Sequence, residues 1–84
     1  MSIRILYFAG LRERLGAAGE DFALSPGLDT VGALRRRLCE RGGAWEALAE
    51  GRSLRMAVNQ RMADAGAALR DGDEVAFFPP VTGG

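Results

Sequence analysis

The sequence contains no histidine and no lysine; all eleven of its basic residues are arginine. Without histidine, neither a Ser-His-Asp nor a Cys-His nucleophile pair can be assembled, and the commonest general acid–base side chain is missing. Without lysine there is no Schiff base and no Walker-type phosphate lysine. Cys39 is the only cysteine, which excludes an internal disulfide and a cysteine zinc cluster. Eleven basic residues balance eleven acidic ones, so the bulk attraction that draws a protein to nucleic acid or an anionic membrane is absent. No apolar run approaches the roughly 20 residues of a membrane span. The opening Met1 to Phe8 has a charge, Arg4, inside its short apolar stretch and no signal-peptide cleavage pattern, so the cytoplasm is the expected compartment. A self-contained enzyme would have to run on Asp, Glu, Arg, Ser and Tyr. Any chemistry is therefore expected to belong mostly to a partner.

What is present suits one small domain of 84 residues, 48% apolar and 26% charged. Ile3, Ile5 and Tyr7 alternate with Arg4, Leu6 and Phe8, which predicts a strand over 3–8 with one face fully apolar and the other mostly so. Leu11 to Leu15, bracketed by Gly10 and Gly16, suggests about one helical turn. Glu20 to Leu24 reads as a second strand, stopped by Ser25-Pro26-Gly27. The best helix runs from about Thr30 to Arg41, with Asp29 or Thr30 as its cap and Val31, Leu34 and Leu38 as its buried stripe. Arg35, Arg36, Arg37, Glu40 and Arg41 are expected mostly on its wet side, and Gly32 should weaken it by roughly 0.5–1 kcal/mol. A short helix over Ala44–Glu50, a strand through Leu54, Met56 and Val58, a turn at Asn59-Gln60 into a brief Arg61–Ala63 segment, and a last strand over Glu74–Phe78 complete the chain. The order predicts an α+β domain, a small sheet on one main helix.

The end of the sequence carries the functional signal. Pro79 and Pro80 remove two N–H donors, so the last strand cannot continue, and they favour a stiff, extended exit. Val81-Thr82-Gly83-Gly84 can then reach at most roughly 13–14 Å. The last two residues have no side chain, and a bare backbone can enter a channel too narrow for a Cβ. Stiff base, short reach and bare tip together describe a probe whose working group is the carboxylate of Gly84.

At this point a resemblance appears. Asp71-Gly72-Asp73-Glu74-Val75-Ala76-Phe77-Phe78-Pro79-Pro80-Val81-Thr82-Gly83-Gly84 resembles the signature of the small subunits of molybdopterin synthase. Leu6-Tyr7-Phe8-Ala9-Gly10-Leu11-Arg12-Glu13 resembles that family's first strand and turn, Thr30-Val31-Gly32-Ala33-Leu34-Arg35 its helix start, and Ala57-Val58-Asn59-Gln60 its third strand. The resemblance implies a β-grasp (ubiquitin-like) domain over residues 1–78 and an extended tail over 79–84. It implies a sulfur carrier with no tightly bound cofactor of its own. A ubiquitin-activating-type adenylyltransferase would use ATP and magnesium to adenylate Gly84, and a sulfur donor would convert it to a thiocarboxylate. The tail (Pro79, Pro80, Val81, Thr82, Gly83) would then enter the large synthase subunit, in a heterotetramer of two small and two large subunits, and pass sulfur to cyclic pyranopterin monophosphate. Neither nucleic acid nor a membrane is an expected partner.

Three further residues are implied as partner contacts by the same analogy: Phe78, as the outward member of the Phe77-Phe78 pair, together with Phe8 and Met62; Arg12 is a candidate to pair with an acid on a partner, its alternative being a solvated arginine. Cys39 reads as a small hydrophobe beside the helical stripe, Arg35-Arg36-Arg37 as a solvated face, and Asp71-Gly72-Asp73 as a turn too short for a calcium loop. Two other functions share the same terminus. One is a ubiquitin-like modifier joined through Gly84 to lysines of other proteins; the other is a sulfur carrier of another pathway, such as that of thiamine or cysteine. A plain β-grasp binding module with an incidental tail is the remaining alternative.

Overall fold

Strand β1 (Ser2–Tyr7) occupies an inner position in a five-stranded sheet of order β2-β1-β5-β3-β4. The computed structural model describes residues 1–49 and 53–80. Helix α1 (Ala9–Leu15) follows β1, then come β2 (Gly19–Ala23), helix α2 (Val31–Cys39), a 3-10 helix (Gly43–Leu48), β3 (Arg55–Val58), β4 (Arg61–Ala63) and β5 (Glu74–Phe78). Strands β1 and β5 run parallel at the centre, and the other pairs are antiparallel. With α2 packed on one face, this is the β-grasp arrangement.

The alternation in β1 and β5 decides which face is covered. Ile3, Ile5 and Tyr7 of β1 and Val75 and Phe77 of β5 meet Val31, Leu34 and Leu38 of α2, all at most 2% exposed. Burying each such side chain contributes about 1.5–3 kcal/mol. The Tyr7 ring stacks against Phe77 with centroids 6.4 Å apart and meets Trp45 edge-on at 5.5 Å. Thr30 caps α2 as expected, its hydroxyl oxygen accepting from the Ala33 N–H at 3.1 Å. Cys39 is half-buried against the core.

Four expectations need correction. Arg35 is not on the wet side: it is 8% exposed, its Nε donating to the Leu48 carbonyl and its Nη2 to that of Ala49, both at 2.6 Å. Those carbonyls end the Gly43–Leu48 segment and have no helical partner, so the guanidinium satisfies them. That segment itself is a 3-10 helix, shorter than the α-helix expected over Ala44–Glu50. Helix α2 closes at Cys39 rather than Arg41, because the Arg41 N–H turns back to Leu38 three residues earlier. Gly32, finally, answers a tertiary need. A Cβ there would lie 2.9 Å from the Ala65 carbonyl oxygen, which accepts the Gly32 N–H at 2.9 Å. The Arg61–Ala63 segment pairs fully with β3 as an edge strand.

Candidate functional site

The sheet face away from α2 has no element laid over it among the described residues, and its apolar side chains follow from strand register. Phe77 faces the core and is fully buried, so Phe78 faces outward, half-buried. Because β1 is parallel to β5 with Tyr7 opposite Phe77, Phe8 emerges on the same outward side as Phe78. The Phe8 N–H donates to the Phe77 carbonyl at 3.2 Å, and Ala9, at φ 54°, then turns the chain into α1. One residue row further in, Leu6 lies opposite Ala76, Ala76 opposite Ala57, and Ala57 opposite Met62.

These rows form a trough of about 650 Å³. Leu6, Phe8, Phe78 and Pro79 give it large apolar sides, the small Ala57 and Ala76 leave it hollow, and Gln60 and Glu74 make one part polar. Phe8 is 46% and Met62 61% exposed on this face. Pro79 places the start of the tail at the trough itself.

The structure thus brings three of the expected contact residues, Phe8, Met62 and Phe78, onto one face with Pro79. Pro80 follows, half-buried. Arg12 stands apart: it is exposed on α1 and does not line the trough. Val81, Thr82, Gly83 and Gly84 lie outside the described residues, as does the outer part of the expected 79–84 tail. Leu6, Ala57, Ala76, Gln60 and Glu74 were not singled out from the sequence as site residues. The signal for Leu6 was there in the second apolar face of β1; that for the two alanines appears only once β3 and β5 are set in register.

Behind this face lies the one tyrosine, fully buried. The Tyr7 hydroxyl donates to Glu20 Oε2 at 3.0 Å, and burial first, then the Glu20 charge, push its pKa well above the ordinary tyrosine value. Arg41 donates to both Glu20 oxygens, at 3.0 and 2.8 Å, and this hydrogen bonding holds the Glu20 carboxyl below its usual range. The Arg41 guanidinium also lies 4.4 Å from the Trp45 ring centroid. Among the described residues, no cluster of His, Cys, Asp or Glu could hold a metal, and no helix is long and apolar enough to cross a membrane. The arrangement can bind an apolar protein surface beside the tail.

Comparison with known proteins agrees with this geometry. The molybdopterin synthase sulfur carrier subunit of Escherichia coli is 43% identical over 82 residues, covering 98% of this chain and 99% of that protein. SAMP1 of Haloferax volcanii, the small archaeal modifier protein 1, superposes with a TM-score of 0.76 at 30% identity over the whole of both chains. A complex of subunits 1 and 2 of molybdopterin-converting factor from Helicobacter pylori contains a chain of the same fold, with a TM-score of 0.70 at 21% identity and full coverage of both. A sequence model of the ThiS family matches residues 5–84, and on that match and these full-length likenesses the chain belongs to the ThiS family.

Proposed function

We propose that this chain is the sulfur-carrying small subunit of a molybdopterin synthase and not an enzyme on its own. The observation that carries the reading is the 43% identity, over 98% of this chain, to a protein of that name. Gly84 is the reacting residue. An α-carboxyl has a pKa of roughly 3.3–3.7, so near neutral pH it is an anion that a sulfur nucleophile does not attack usefully. An adenylyltransferase using ATP and magnesium joins the Gly84 carboxylate to AMP, releasing pyrophosphate. A sulfur donor then displaces AMP and leaves a thiocarboxylate, in the cytoplasm where ATP is made available. The tail, Pro79 to Gly83, next enters the large subunit, where the terminal sulfur passes to cyclic pyranopterin monophosphate. Two loaded carriers are consumed for each dithiolene.

The outer trough supports this reading because a partner must hold the tail still while the terminus reacts. Positioning of that kind can be worth about 7–11 kcal/mol of barrier. Phe8, Met62 and Phe78 supply the apolar anchor, and Arg12, exposed on α1 away from the trough, a separate charged contact. The complex of subunits 1 and 2 from Helicobacter pylori gives a precedent for the large-subunit partner; a heterotetramer of two small and two large subunits is the proposed assembly.

Intact-mass analysis after incubation with the adenylyltransferase, ATP, magnesium and a sulfur donor tests the proposal. A mass change matching replacement of one oxygen by sulfur, located at Gly84, is expected; an unchanged chain beside a charged control carrier refutes it. The likeness to SAMP1 favours a second reading, a modifier attached to lysines of other proteins. Isopeptide adducts through Gly84, with no thiocarboxylate in the same cells, would establish that one instead.

A further inference from the structure

Among the described glycines, five take a left-handed backbone, and a Cβ at Gly19 or Gly32 would come within 2.6 or 2.9 Å of a backbone oxygen. Gly66, in a turn, and Gly10 have neither reason to be glycine, and of the two only Gly10 stands in a helix. Its φ is not positive, a Cβ there meets nothing within 4 Å, and it sits in α1, where alanine is the better helix former. The fold gains nothing from the missing side chain.

Gly10 does line a second groove, of about 610 Å³, which shares Pro79 with the trough. Leu11 is buried in it, and Ala47, Leu54 and Pro79 are half-buried. Glu13, Arg14 and Ser53 are its exposed members. Bare backbone at Gly10 permits another main chain to approach closely. Beside it, Arg14 can donate to a passing carbonyl and Glu13 can accept from a passing N–H.

We propose that this groove receives an extended segment of the large synthase subunit, its main chain crossing Gly10 and an apolar side chain set against Leu11, Ala47 and Leu54. The inference rests on the reading of the tail given above. Pro79 belongs to both hollows, so a protein that takes up the tail beyond it meets the trough and this groove as one continuous surface. The chain's own residues after Pro80 are the competing occupant, and the titration below separates the two.

Calorimetric titration of the intact chain against the purified large subunit tests this, using the wild type, Gly10→Ala, Gly10→Trp and Ser53→Trp. Gly10→Ala should melt no lower than the wild type. Gly10→Trp and Ser53→Trp, which fill the groove from its two walls, should keep their melting temperature and bind roughly tenfold or more weakly. If Gly10→Trp melts early, Ser53→Trp decides. A folded tryptophan variant that binds within about twofold of the wild type overturns the proposal. Tighter binding overturns it as well, since the groove would then hold the chain's own tail. Wild-type protein that does not bind the large subunit at all overturns the functional reading and the groove with it; binding that ignores both tryptophans overturns the groove alone.

Discussion

The two faces of the sheet are made from the same strands, yet they are built to opposite ends. On the helix side, Tyr7 and Phe77 are buried in contact with each other, and the Tyr7 hydroxyl is fixed by Glu20 and Arg41. One residue along, Phe8 and Phe78 stand on the other side with nothing among the described residues laid over them. The first face uses its apolar area in folding; the second leaves Phe8 and Phe78 partly open to solvent. Adjacent phenylalanines therefore have different surroundings, and the period of two in a strand is enough to separate them.

The contrast can be broken or sharpened by substitution. Phe77→Ala should be the most damaging, losing about 3–5 kcal/mol by leaving a cavity in the core, read as a fall in the chemical denaturation midpoint. Arg35→Ala should come next, at about 2–3 kcal/mol, because the carbonyls of Leu48 and Ala49 lose a charged donor. Glu20→Gln should remove about 1–2 kcal/mol by weakening the Tyr7 and Arg41 hydrogen bonds. Phe78→Ala should change stability by less than about 1 kcal/mol while weakening binding to the large subunit by at least roughly tenfold. A Phe78→Ala protein that melts as early as Phe77→Ala would show that the outer face is core after all.

Glu20 also fixes the sign of a pH effect. Its folded carboxyl titrates below the unfolded value of 4.5, so its contribution is complete above that value and is lost as pH falls through the folded one. Tyr7 acts at the other end: its folded phenol titrates above the unfolded value of 10.0, so its contribution is complete below that pH and declines as pH rises past it. Thermal melts of the wild type and Glu20→Gln across acid pH should converge as the carboxyl protonates.

Much of this is legible in the sequence. The alternation of β1 and β5 and the stripe Val31, Leu34, Leu38 depend on neighbours close in sequence, and they identify the core face directly. The Pro-Pro exit is equally local. Helical spacing puts Arg35 at the margin of that stripe, and only the arrival of Leu48 and Ala49 turns a wet margin into a buried one. Gly32 was counted as a weakness because Ala65, its neighbour in space, is remote in sequence. The trough needed the order β1-β5-β3, a long-range fact that no single stretch carries.

That order has a consequence for synthesis. The strand between β1 and β3 is the last to be made, and β1 has only β2 to pair with until it arrives. During translation, the earlier strands must wait on the ribosome with their seam open. Closing the sheet and setting out the tail root are then a single event, so a truncated chain lacking β5 has neither its central parallel strand pair nor Phe78 and Pro79 at the trough.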